Sequence, residues 1–317
     1  MESLQADRTR PTKTERPLPG WTVSRAAAEN EADAALAAGV ALKALDDIVK
    51  SDPAWGGCWR ARQALRCATQ AIRLLGREED AAALRDAMLL AAPGDDPGPG
   101  GRVYLAYKGL ASRRPAVKSR SLAELAERLS VRWDDKAAKT LDLYDEAVQS
   151  GRSAPFAAAS LVSAICAERP DAEVLAWWLA DRVIAEILGW DRPVPLLMAE
   201  RYGTAFRTFG GRGRVRPGDE AFPRSVCLAL AAGAAEAIGL ANDIARRAER
   251  FSAITPKVRT KGAATVFRQI LDDDAVSAAA PGSGLSRWAS RRLFDRLETL
   301  GAVRELSGRA NFRTYGL

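Results

Sequence analysis

The chain has 317 residues, 47% of them hydrophobic and 27% charged, with a formal net charge of +7. That length supports one to three domains with a large core, and no run of eighteen apolar residues announces a membrane span. There is no histidine, which removes the commonest general base, the Ser-His and Cys-His nucleophile pairs, and the usual zinc and non-haem iron ligand sets.

The first twenty residues, MESLQADRTRPTKTERPLPG, are polar and proline-rich and lack the apolar core of a secretory signal. They read as a disordered arm that docks through Leu18 and Trp21, and the expected location is cytoplasmic. From residue 21 to 255 alanine, leucine and arginine dominate, with apolar residues at three- and four-residue spacing, so the body is expected to be all-helical. Ser24 is placed to cap a helix through Lys50, with Leu36, Val40, Leu45 and Val49 near one face; further helices are expected over Cys58–Leu75 and Glu78–Leu90. Ala92–Arg102 (APGDDPGPGGR) reads as a rigid turn: it lacks Gly-Lys-Ser/Thr, and its prolines remove donors that a phosphate cradle would use.

Helices resume over Leu122–Leu129, Asp134–Gln149, Pro155–Ala167 and Asp171–Leu188. Trp177, Trp178 and Trp190 at these spacings suit core anchoring better than base stacking. Residues 210–219 (GGRGRVRPGD) interrupt the body with three arginines, and a long helix from Phe222 to Phe251 follows. Cys58, Cys67, Cys166 and Cys227 form no CxxC pair and sit among alanine and leucine, as buried free thiols do.

Residues 256–317 differ in charge. From Lys257 to Leu317 there are eleven basic and six acidic residues, a net of +5, whereas the rest of the chain nets +2. The pattern there is a helix over Lys257–Leu271, a short strand or turn at Ala275–Ser277, and a helix capped by Ser286 with Ala289, Leu293, Leu297 and Leu300 buried. Gly301 stops that helix, and two strands, Ala302–Leu306 and Asn311–Tyr315, pair around Ser307-Gly308. That is the order of a winged helix-turn-helix module, shortened by the lack of room for a second helix between Asp274 and Leu285. The expected function is duplex DNA binding, regulatory or in replicon maintenance, with Arg287, Trp288, Ser290, Arg291 and Arg292 facing the groove. Lys257, Arg259, Lys261, Arg309 and Arg313 would hold phosphates, and the body would supply homodimerisation or a ligand pocket.

Two alternatives stand beside this. The winged helix could dock a protein partner, making the chain an adaptor. Or the carboxylates Asp80, Asp86, Asp95 and Asp96 could hold a metal in an enzyme, although the sequence points away from an enzyme and calls for no cofactor and no membrane.

RPLPGW (16–21), GREEDAAALRDA (76–87), PGDDPGPGGR (93–102), LGWDRPVPLL (188–197), PKVRTKGA (256–263) and LSRWASRRLFDRLETLGAVREL near the end resemble an uncharacterised bacterial family, domain of unknown function 1403. The resemblance spans nearly the whole chain and implies no activity. The closing RELSGRANFRTYGL is also similar to the tail of helix-turn-helix modules in other bacterial proteins, some of Fic type.

Overall fold

The computed structural model describes residues 18–23, 30–92, 94–112, 117–208, 212–279, 282–309 and 312–317. Ser24 and most of the N-terminal arm lie outside them. Leu18 packs on the core, and Trp21, on a short 3-10 turn at Gly20–Thr22, stays partly exposed.

Helix α1 (Glu31–Ser51) is capped by Asn30, whose side chain accepts the Asp33 N–H at 2.9 Å. Its buried face keeps the expected Leu45 and Val49 but not Leu36, which is 60% exposed, and Ala34, Ala37, Ala38 and Ala41 turn inward with them. Small side chains let α1 lie close along the longest helix, α11 (Phe222–Ile254), which presents its own alanines. By length and composition α11 could cross a membrane, but 67% of its apolar stretch is buried inside the protein, as befits a central core helix.

Between these two come α2 (Gly56–Leu74), α3 (Ala81–Leu90), α4 (Gly98–Ala111) and α5 (Ser119–Arg128). The turn expected through Arg102 ends early, because α4 already begins at Gly98. Pro99 sits in the first turn, where its missing N–H has no helical partner to lose and its fixed φ suits the helix. The single helix expected over Asp134–Gln149 is split into α6 (Asp135–Ala138) and α7 (Thr140–Gln149). Then follow α8 (Ala154–Glu168), α9 (Glu173–Ile187) and the one-turn α10 (Leu197–Glu200).

Trp177 and Trp190 are fully buried, and their indole N–H groups donate to Glu173 and Asp46; half-buried Trp178 donates to the Ala106 carbonyl. They are core anchors. In the arginine-rich interruption, Arg214 is an internal strut that donates to the carbonyls of Arg201 and Gly203 and lies over Tyr202. All four cysteines are free, three buried and Cys166 half-buried. Burial pushes the thiols of Cys58, Cys166 and Cys227 up to about 12.

After α11 the chain makes a 3-10 turn at Thr255–Lys257 and enters α12 (Ala263–Asp272), six residues later than expected. Strand β1 (Val276–Ser277), helix α13 (Arg287–Thr299), β2 (Arg304–Glu305) and β3 (Thr314–Gly316) complete the chain. The three strands form one antiparallel sheet in the order β1-β3-β2, with Val276 opposite Tyr315 and Arg304 opposite Gly316. One hydrophobic cluster runs from α1 through the body to Phe294 and Tyr315.

Candidate nucleic-acid interface

Helix α13 forms where Ser286 accepts the Ala289 N–H at 3.2 Å, and it stops at Gly301, whose φ of +69° favours glycine. Its buried stripe is Ser290, Leu293, Phe294 and Leu297. Here the sequence expectation is corrected: Leu300 is 43% exposed and Ser290 is wholly buried, so Ser290 cannot meet a base edge. Phe294 explains the rotation. Its ring stacks on Tyr315 of β3 at 4.7 Å and 11°, and this larger contact turns the neighbouring serine inward with it.

The opposite face carries Arg287, Trp288, Arg291 and Arg292, all exposed. Trp288 is 70% exposed and lies under the Arg292 guanidinium, 5.0 Å from the ring centre. Among the described residues, none of these three arginines has an acidic partner. The two acids of α13, Asp295 and Glu298, are instead taken by Arg313, at 3.3 and 2.9 Å. Arg313 is therefore a half-buried clamp over Tyr315 that engages both acids with a single positive charge, beside an arginine face that has no acidic partner of its own among the described residues. Between that face and the sheet lies an open cavity of about 460 Å³, lined by Arg287, Trp288, Arg291, Arg313, Phe312 and Tyr315 among others.

The wing is shorter than expected, and Asn311 falls outside the described residues. Glu305 organises its turn, accepting the N–H groups of Ser307 and Gly308. Arg309 near the tip pairs with Asp86 of α3 at 2.5 Å. That contact ties the turn between β2 and β3 to the body, with the Arg309 side chain still 55% exposed. Lys257, Arg259 and Lys261 lie in the exposed segment before α12 and are open to solvent.

The module is held to the body by charges that the sequence did not announce. Asp274, 1% exposed, accepts Arg62 Nε at 2.8 Å and is paired with Arg85; Arg62 also donates to the main-chain oxygens of Asp274 and Leu317. Burial pushes the Asp274 carboxyl upward, but Arg85 and Arg62 outweigh it and hold it below the ordinary carboxylate range. Lys108 of α4 donates to Asp273 at 2.6 Å. Arg304 on β2 is depressed by burial and then by the like charges of Arg247 and Arg62, which places an α11 arginine beside the sheet. The run ARRAER in α11 was its only sequence signal.

The carboxylates proposed for a metal are separately occupied. Asp80 caps α3 through the Ala83 N–H at 2.8 Å, Asp86 holds Arg309, and Asp96 accepts the Gly98 N–H at 3.0 Å. Asp95 borders a different cavity, against α12. Among the described residues, no group of three or more Asp, Glu or Cys side chains is gathered as a metal site.

The family described as "Protein of unknown function (DUF1403)" matches residues 6–317. The chain belongs to this family. No curated protein and no solved structure matches the chain.

Proposed function

We propose that this DUF1403 protein binds duplex DNA through a C-terminal winged-helix module, with α13 as the recognition helix. The observation that carries the proposal is the exposed face of Arg287, Trp288, Arg291 and Arg292, whose neighbouring acids Asp295 and Glu298 are engaged by Arg313 rather than by the face itself. The element order supports it: helix, strand, helix and two strands, with β3 central in the sheet. A second helix before α13 is lacking among the described residues, so the module is a reduced version of the fold. Arg287 and Arg291 lie in the first two turns, where a guanidinium meets the O6 and N7 of guanine with two parallel bonds. Lys257, Arg259 and Lys261 are free to hold phosphates. The role is regulatory or one in replicon maintenance, in the cytoplasm, and a homodimer would pair two such helices.

One observation favours a second role. Trp288 stands exposed over a cavity with aromatic walls, which also suits docking of a partner protein.

Selection from a randomised duplex pool, followed by affinity measurement on the enriched sequence, separates the two. DNA readout predicts enrichment of a defined site and a loss of about 1–3 kcal/mol for Arg291→Ala on that site, while Lys261→Ala weakens all sequences alike. A pool that enriches nothing would overturn the DNA proposal in favour of the adaptor.

A further inference from the structure

Arg60, on the second turn of α2, has a side chain only 3% exposed. Among the described residues its one polar partner is Asp52 Oδ1 at 3.4 Å, and that carboxylate is itself 64% exposed. Arg192, in the turn after α9, reaches toward the same oxygen at 3.8 Å. Two guanidiniums thus share one solvated carboxylate at the outer limit of contact. A guanidinium presents five N–H donors, and a buried charge is stable only where something nearby compensates it. Burial and the like charge of Arg192 both work against the ionised form of Arg60.

The surroundings are open; Asp191 and Asp272 border them as well, but among the described residues neither is in ion-pair contact with Arg60 or Arg192. Cavities of about 310 Å³ and 380 Å³ both border Arg60 and Arg192. The first also reaches Lys50, Asp52 and Asp191; the second reaches Gly57, Lys108, Ser112 and Asp272. Lys50 is paired with Asp46 and Lys108 with Asp273, so the two arginines are the cations left under-compensated. Helix α2 begins without a side-chain cap, and Gly57 in its first turn lines the second cavity, packed against Asp272 at the end of α12. Both volumes fall at the lower end of the range for small-molecule sites, about 300–1,000 Å³.

We propose that Arg60 and Arg192 form a binding site for a phosphoryl group, free or carried by a small metabolite, at the two cavities that both arginines border. Two planar guanidinium forks match a tetrahedral dianion in both charge and geometry. The site borders the helical body and the end of α12, is lined by no residue of α13, and does not depend on DNA binding.

The test is calorimetric titration of the full-length protein with inorganic phosphate in one arm and glucose 6-phosphate in a second, at ionic strength held constant with chloride. Saturable binding at one site per chain is expected. Arg192→Gln should weaken it about tenfold, as loss of one charge-assisted partner does, and Arg60→Gln should abolish it. Arg291→Ala should bind as the wild type does. Arg192 is half-exposed, so its variant carries the test even if Arg60→Gln does not fold. Tighter binding of the ester would assign the cavities to its organic part, and equal binding would assign the site to free phosphate. No saturable binding of either anion, or wild-type binding by Arg192→Gln, would overturn the proposal.

Discussion

At Asp274 a single carboxylate meets two guanidiniums from different helices of the body, 212 and 189 residues away along the chain. Removing one partner of a buried charge group strands the others, which typically costs about 3–5 kcal/mol. Asp274→Asn is expected to lower unfolding free energy by that order in chemical denaturation; an unchanged midpoint would mean that the Arg62 and Arg85 contacts do not hold the module. The carboxyl is depressed in the folded chain, so its contribution is present above the ordinary carboxylate pKa and is lost as pH falls through the folded value. Asp181 behaves in the opposite sense. It is fully buried, and burial pushes its carboxyl up to about 7 even though it accepts the N–H groups of Leu197 and Leu196. Between the ordinary value of 3.8 and about 7 the folded chain holds a proton that the unfolded chain has released. Stability therefore falls as pH rises through that window, on the order of 4 kcal/mol at about 1.4 per pH unit. Asp181→Asn should flatten this slope when stability is measured from pH 4 to 8; parallel profiles would contradict the assignment.

Among the elements, α13 was the most legible. Its Ser286 cap and Gly301 stop are local signals, and both stand in the structure. Its face was misjudged by one position because the stacking of Phe294 on Tyr315 is a tertiary contact that periodicity does not contain. For the same reason Leu36 of α1 is exposed although periodicity puts it on the buried face with Leu45 and Val49, because close packing against α11 takes up alanines in the first half of the helix. The start of α4 was missed because Gly-Pro-Gly-Gly reads as a turn until Pro99 is seen to occupy a first helical turn. Close approach between elements also makes a sharp prediction. A Cβ on Gly57 would sit 2.6 Å from the Asp272 Cα, whereas one on Gly39, an exposed position of α1, would meet nothing within 4 Å. Gly57→Ala is expected to destabilise by about 1–3 kcal/mol through the α2–α12 contact, and Gly39→Ala to stabilise by about 0.5–1 kcal/mol. Equal stability of the two variants in denaturant would argue against that contact.

Across the whole molecule, the sequence could locate the excess of basic charge after Lys257 but not its division of labour. The sequence reading gives Arg309 and Arg313 to phosphates and Arg287 and Arg291 to the groove, with no sign that any of them pairs with an acid of the chain. The fold pairs the first two with acids, Arg309 with Asp86 and Arg313 with Asp295 and Glu298, and leaves the second pair without an acidic partner among the described residues. Such partners lie far apart in the chain or on another element, and spacing alone does not encode them. The same applies to Asp272-Asp273-Asp274, which reads as a helix stop and proves to include two anchors to the body. Because one hydrophobic cluster joins the module to the body, deleting the module would uncover Arg62 and Arg85 along with apolar surface, and surface substitution is the cleaner probe.

The central claim is that the outward arginine face of α13 contacts DNA, and fluorescence-anisotropy titration of a duplex across a salt series tests it most directly. Wild type is compared with Arg287→Ala/Arg291→Ala/Arg292→Ala, three exposed positions whose loss leaves the core intact. The account predicts that the triple variant binds its selected site much more weakly and no longer prefers it to random duplex, while the salt slope set by the phosphate contacts of Lys257, Arg259 and Lys261 changes little. Identical affinity and preference for the two proteins would contradict it.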